Sequence, residues 1–154
     1  MMRKTAFVVT AMVVILSGCA SIRIPNYIDD KHPYKKIFYA SFEDTLLASR
    51  KALEESGWKV KEVTDPALYE HNRAGAAEKQ GLIFTETQHV SRILYTRYYT
   101  LNVYLTGQKD STEMDVRYLV QTSFLLKTWE GYKNDRLVNQ FFNRISFHLE
   151  NPKK

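Results

Sequence analysis

The stretch RILYTRYYTLNVYLT, residues 92–106, alternates apolar and polar side chains over most of its length. Its apolar side consists of Ile93, Tyr95, Tyr99, Leu101, Val103 and Leu105, and its polar side of Arg92, Thr96, Thr100, Asn102 and Thr106. This pattern predicts an antiparallel strand with one side on a core and the other side in water.

A second alternating run follows after turn residues at Gly107 to Ser111. Residues 113–121 place Met114, Val116, Tyr118 and Val120 on one side, and Glu113, Asp115, Arg117 and Gln121 on the other. The two runs predict a long hairpin whose apolar sides lie on the same face of a sheet.

Arg97 is the one charged residue on the apolar side of the first run. An unpaired buried charge is very costly, so three interpretations are open. Arg97 lies near a sheet edge where its side chain reaches water, or pairs with a carboxylate, or belongs to an anion-binding site.

Upstream, a capped helix lies between two short strand candidates, residues 36–40 and 58–63. Ser41 is a good N-cap, Asp44 stands at the third helical position of a capping box, and Gly57 suits the left-handed position after the helix. The helical spacing of its apolar side involves Phe42, Leu46, Ser49 and Leu53. This segment predicts a helix that packs on one face of a sheet.

A further strand and a loop precede the long hairpin. Residues 82–89 have the composition of a strand, and Asp65-Pro66 predicts the start of a short helix within residues 65–80. The rest of that segment has no periodicity, which indicates a loop. Its Tyr69, Glu70 and His71 are either solvated loop residues or the lining of a site.

The final helix starts at Asn134 or Asp135 and ends near Glu150, because residues before a proline avoid helical geometry. Its apolar stripe is Leu137, Phe141, Ile145 and His148, where His148 is expected to be half-buried rather than a metal ligand. The order of elements predicts an α+β fold, an antiparallel sheet with two helices packed on one face. We expect a single domain over residues 35–151.

The amino terminus has the features of a secretory signal. Arg3 and Lys4 precede the run Ala6 to Leu16, which has ten apolar residues of eleven and is too short to span a bilayer stably. Leu16-Ser17-Gly18-Cys19 follows, and Cys19 is the only cysteine. This run resembles the lipobox of bacterial lipoprotein precursors, which implies lipidation of Cys19 and removal of residues 1–18.

Within that resemblance, Ala20 after the cysteine implies sorting to the outer membrane, facing the periplasm. Acyl chains on Cys19 would hold the protein on the membrane. Residues 19–34 contain two prolines and a charge cluster, so we expect a lipidated cysteine and a solvated tether there. Asp29, Asp30 and His32 match no known metal-binding loop.

Several features of residues 36–150 resemble the helix-grip domains of bacterial envelope lipoproteins, in particular those of the C lipoprotein of the β-barrel assembly machinery. The features are Phe42, Leu53, the run Gly57-Trp58-Lys59-Val60, the hairpin between Thr100 and Val120, and the run Arg136-Leu137-Val138-Asn139-Gln140-Phe141-Phe142 in the terminal helix. The resemblance implies a sheet that grips a helix, and it transfers no binding residues.

Residues 123–133 break the alternation with a cluster of large apolar side chains. This cluster consists of Phe124, Leu125, Leu126 and Trp129. Such a link either plugs one end of the core, which the pattern favours, or presents an apolar patch to a partner.

The sequence favours a function without catalysis. It has no motif for a nucleophile, a base or a metal set, so we expect no enzyme, no cofactor and no metal. The first 18 residues hold two of the 22 basic residues and none of the 17 acidic ones, which leaves a charge of +3, too small for a nucleic-acid binder. An anchored interaction or assembly-accessory module with an envelope protein as partner is expected. The alternative is a carrier of small ligands or lipids in the groove between helices and sheet.

Overall fold

The computed structural model describes residues 23–70, 79–124 and 127–151. Seven strands are β1 (Tyr34–Phe38), β2 (Val60–Thr64), β3 (Lys79–Thr85), β4 (Gln88–Ser91), β5 (Tyr95–Gly107), β6 (Thr112–Phe124) and β7 (Lys127–Gly131). The helices are α1 (Phe42–Glu55), a 3-10 turn (Pro66–Leu68) and α2 (Asp135–Glu150). A protein that starts at Ala20 would contain all these elements, and it is the chain used in the stability experiments below.

One antiparallel sheet contains all seven strands, and β5 and β6 form its centre. At one end of these long strands the order is β1-β6-β5-β3-β2. At the other end, which we call the distal end, β4 pairs with β5 and β7 pairs with β6. The predicted α+β fold is therefore confirmed, with a larger sheet than the sequence patterns predict.

Local sequence explains where α1 begins and ends. The Ser41 hydroxyl accepts a hydrogen bond from the Asp44 amide at 3.1 Å and donates one to the Asp44 carboxylate at 2.7 Å. Ser56 caps the carboxyl end, and Gly57 follows with a φ of 79°, a conformation that side chains other than glycine rarely adopt. Both signals confirm the predicted helix.

The main core lies between the two helices and one face of the sheet, which we call the helix side. Leu53 of α1 and Val103 of β5 are both fully buried, as the two patterns predict. Other buried members include Leu101, Leu105, Met114, Val116, Phe141 and Ile145. The two sequence runs of the hairpin thus place their apolar sides on the same core.

The opposite face of the sheet, the rear face, is not left to water over its whole length. Leu82, Phe84 and Tyr104 form a second buried cluster, against which Tyr27 packs. Ile28 is 1% exposed, and its amide donates a hydrogen bond of 2.7 Å to the Asn102 side chain. The prediction of a solvated tether is therefore wrong at Tyr27 and Ile28, because the rear face offers them apolar contacts and a buried amide partner.

Two strand predictions need correction at the distal end. The single strand predicted over residues 82–89 is divided between β3 and β4, so β4 forms a hairpin with β5. The strand β5 begins only at Tyr95, and Ile93 lies fully exposed in the turn before it instead of on the core. The alternating sequence pattern extends through this turn although the turn is not a strand. The β7 strand of the β6–β7 hairpin has no alternating pattern that could predict it.

Candidate interaction surface at the distal end of the sheet

Two hairpins meet at the distal end. The β4–β5 turn is closed by the Arg92 amide, which donates to the Tyr95 carbonyl at 2.8 Å, and in the β6–β7 hairpin Phe124 pairs with Lys127. Tyr95 lies directly opposite Phe124 in the β5–β6 ladder. The ends of both hairpins are therefore neighbours in space, although about 30 residues separate them in the chain.

The register assigns a row of side chains across all four distal strands. Val90 lies opposite Arg97, Arg97 opposite Thr122, and Thr122 opposite Trp129. Directly opposite residues project from the same face of a sheet. Arg97 lies two residues before Tyr99 on β5, so both side chains project from the same face of the sheet. Because Tyr99 packs on the main core, this row lies on the helix side.

The next row toward the end contains Tyr95, Phe124 and Lys127, also on the helix side. We call Val90, Tyr95, Phe124 and Trp129 the distal patch. Val90, Phe124 and Trp129 are 44%, 37% and 52% exposed, which shows that the helices do not cover them. The face that forms the main core thus continues as an exposed apolar surface.

Side chains of the distal patch contact one another and the neighbouring Arg97 through their aromatic rings. The rings of Phe124 and Trp129 lie with their centroids 6.4 Å apart. The guanidinium carbon of Arg97 lies 5.0 Å from the centroid of the Tyr95 ring, within the range of a cation–π interaction. Arg97 is exposed, so its side chain reaches water as the first interpretation expects. The expected sheet edge is wrong, because β4 and β6 both pair with β5 at Arg97, and the residue is exposed because β5 extends beyond the main core.

The core-plug prediction for residues 123–133 is wrong for the two members that the structure describes. Phe124 and Trp129 lie on the paired strands β6 and β7, where hydrogen-bonded neighbours hold them outside the main core. Leu125 and Leu126 lie outside the described residues. Sequence reasoning missed Val90 and Tyr95 as neighbours of this cluster, because only the strand pairing brings them together.

The rear face of the same end is polar. Gln121 donates to one carboxylate oxygen of Glu130 at 2.8 Å, and the Tyr132 hydroxyl donates to the other at 2.8 Å. The hydrogen bond from Gln121, followed by that from Tyr132, lowers the pKa of Glu130 below its ordinary value. The distal end is therefore two-sided, with an apolar face toward the helix side and a polar face behind it.

The rear face nearer the centre holds a buried polar cluster that we call the clasp, made of Tyr27, Glu70 and Arg117. The Arg117 side chain lies 2.6 Å from the Glu70 carboxylate and donates to the Tyr27 hydroxyl at 2.6 Å. The Tyr27 hydroxyl in turn donates to Glu70 at 2.7 Å. Burial, and next the hydrogen bond to Glu70, raise the pKa of Tyr27. Tyr27 therefore stays protonated as a donor at neutral pH.

The clasp corrects the placement of Arg117, which the alternating pattern assigns to water but which is 4% exposed. Glu70 and Tyr69, considered above as lining of a site, lie on this rear face, and Tyr69 stacks on Tyr27 with centroids 5.4 Å apart. His71 lies outside the described residues. The clasp joins three distant segments of the chain, which is a structural role.

A carrier would need a cavity between helices and sheet, where most of the space is filled by the main core. A cleft of about 280 Å³ remains there, with apolar walls from Leu53, Leu101 and Phe141 and with Arg136 and Arg144 beside them. A wider depression of about 810 Å³ runs along β2, where charged residues such as Arg50, Lys61 and Glu62 line it. Ligand pockets are mostly apolar and enclose about 300–1,000 Å³, so the cleft is small for a carrier site and the depression along β2 is too charged and open.

Within the described ranges no cluster of histidine, cysteine and acidic side chains could hold a metal ion. His148 lies in α2 with its Nε2 atom 3.1 Å from the Glu55 carboxylate of α1, and its side chain is 13% exposed. It therefore sits between the two helices, as a partly buried helix residue.

The predicted lipidation site, Cys19, lies outside the described residues together with Leu16, Ser17 and Gly18. Among residues 23–70, 79–124 and 127–151, the structure has no helix long and apolar enough to cross a bilayer. A comparison with protein-family models finds no match, and a comparison with curated proteins finds no match either.

Proposed function

We propose that this protein is an envelope lipoprotein, held on the membrane by acyl chains on Cys19, that works without catalysis as an interaction or assembly-accessory module. Its distal patch is the docking surface for an envelope protein. The observation that carries this proposal is the continuation of the core-forming face, uncovered, into the distal end.

The composition of the distal patch supports docking. Trp129, Tyr95 and Arg97 belong to the residue types that dominate the binding energy of protein interfaces. They surround Phe124 on one face, so a partner could bury all four at once. Soluble monomers rarely leave contiguous apolar surfaces of this kind uncovered.

The filled main core supports a docking function over the carrier alternative. The side chains between helices and sheet are packed to nearly complete burial, and the cleft beside them, about 280 Å³, is small for a ligand pocket. A carrier would also give no reason for the exposed Trp129 on β7.

Trp129→Ala tests the docking surface. Trp129 is 52% exposed, so the free energy of unfolding of the chain from Ala20 is expected to change by less than about 1 kcal/mol. Capture of a specific protein from solubilised envelope is expected to be lost, because interface tryptophans often dominate affinity. Affinity capture followed by mass spectrometry measures this, with thermal unfolding in parallel.

Phe147→Ala is the matched control, since Phe147 is an exposed aromatic residue on α2, 62% exposed. It is expected to retain every specifically captured protein. Equal losses in the two variants, or full retention by Trp129→Ala, would contradict the proposed docking surface.

A further inference from the structure

The β4–β5 turn, beyond the distal patch, carries the most exposed aliphatic side chain of the described structure, Ile93, and next to it the exposed Leu94. Ile93 is fully exposed and Leu94 is 62% exposed. Turns usually contain glycine, proline, asparagine, aspartate or serine, each for a conformational reason. We call the two adjacent aliphatic residues Ile93 and Leu94 the apex. No such conformational reason applies to them, but contact with another surface that covers them would explain their presence.

The apex is followed by aromatic and cationic side chains in a definite order. Tyr95 and Phe124 form the first row behind it, and Trp129 lies in the next row with Arg97. Arg92 precedes the apex in the turn. Aliphatic side chains at the deepest position, with aromatic and basic residues behind them, are the arrangement by which proteins enter the interfacial layer of a bilayer.

Charge favours an anionic lipid surface over a protein as the occupant of the apex. The helix-side rows of the distal strands, as far as the structure describes them, contain Arg97 and Lys127 and no carboxylate. Glu130, the acidic residue of this end, points to the rear face and is hydrogen-bonded there. Basic side chains near an anionic leaflet add attraction to apolar insertion.

The position of the amino-terminal segment agrees with a membrane close to the apex. Asn26 is fixed on the rear face, because its carbonyl accepts a hydrogen bond of 3.1 Å from the Asn102 side chain, so seven residue steps separate it from Cys19. Such a segment reaches at most about 25 Å. Along β5, Asn102 lies seven residues from Tyr95, or about 23 Å. A lipid on Cys19, with the segment extended toward the distal end, would therefore hold the first row behind the apex within reach of the same bilayer.

We propose that Ile93 and Leu94 insert into the interfacial layer of the membrane that holds Cys19, so that the domain lies on an anionic lipid surface. This proposal deepens the proposed function, on which it rests for the anchor at Cys19. The distal patch then lies at the level of the lipid headgroups, and a protein docking there must be at the membrane surface.

The test links the chain Cys19–Lys154 through its single thiol to a maleimide lipid in vesicles of phosphatidylethanolamine and phosphatidylglycerol. Tryptophan quenching by lipids brominated near the headgroup is then measured. Trp129 lies two rows behind the apex, whereas Trp58 is 4% exposed and gives an unquenched background. Quenching of Trp129 is the expected result.

The double variant Ile93→Asp, Leu94→Asp is expected to reduce this quenching at least about threefold, because carboxylates resist entry into the apolar layer. Leu68→Asp is the control, since Leu68 is 69% exposed and lies in the 3-10 turn after β2. No quenching in the unmodified chain, or equal loss in both variants, would overturn the proposal.

A separate capture experiment distinguishes failure of this proposal from failure of the proposed function. If the double variant leaves quenching unchanged but loses a specific envelope protein, the apex belongs to the protein-docking surface and the membrane proposal is wrong. If Trp129→Ala captures the same proteins as the unmodified chain while the apex quenches as expected, the docking proposal is wrong and the membrane proposal stands.

Discussion

Glu70→Ala is expected to lower the free energy of unfolding by about 3–5 kcal/mol, the usual scale when one member of a buried ion pair is removed. The Arg117 side chain is only 5% exposed, and the Glu70 carboxylate lies 2.6 Å from it. Without that carboxylate, the buried Arg117 charge loses this ionic partner and keeps the neutral Tyr27 hydroxyl and Ile28 carbonyl as hydrogen-bond acceptors. Urea unfolding of the chain from Ala20 measures the change.

A double variant separates the lost charge pairing from lost packing. In Glu70→Met, Arg117→Met the uncompensated charge is gone, and replacement of a buried pair by apolar residues is often neutral. We therefore expect the double variant to be more stable than Glu70→Ala. Glu62→Ala, in exposed β2, is the control and is expected to change stability little. A double variant less stable than Glu70→Ala would contradict the role of the clasp.

Cys19→Ser is expected to abolish acylation of the chain and to change its fractionation between membrane and soluble fractions. A serine hydroxyl is a much weaker nucleophile than a thiolate, so the diacylglyceryl transfer that the lipobox resemblance implies cannot proceed. Without acylation, the lipoprotein-specific cut before residue 19 is also expected to fail. Mass spectrometry of the purified protein and fractionation of the envelope measure both effects.

Ser17→Ala is the matched control, because alanine keeps a small side chain at the same distance from Cys19. It is expected to be acylated and cut like the unmodified chain. An unchanged mass and unchanged membrane association in Cys19→Ser would show that the anchoring proposal is wrong.

The parts of the fold that the sequence predicts are those with local signals. The cap at Ser41 and the glycine at position 57 determine the ends of α1, and the alternation of residues 95–106 determines the helix side of β5. Each of these signals acts between residues a few positions apart. They are therefore visible in the chain without knowledge of its tertiary contacts.

The rear core and the clasp depend on contacts between remote residues. Asn102 bonds the Ile28 amide across 74 positions, and Arg117 reaches Tyr27 across 90. The alternating pattern correctly places Asn102 and Arg117 on the face away from the main core. It cannot indicate that another segment of the chain covers this face. The same limit applies to the distal patch, where the pairing of Tyr95 with Phe124 is visible only in the sheet.

Photo-crosslinking from the distal patch in living cells tests the central claim most directly. A benzophenone amino acid replaces Trp129 in the anchored chain, and the same amino acid at Phe147 serves as the control. Both side chains are more than half exposed, so they differ chiefly in the surface from which they project. A discrete adduct with an envelope protein from position 129, and none from position 147, is the predicted result. No protein adduct from position 129, or the same adduct from both positions, would contradict the account.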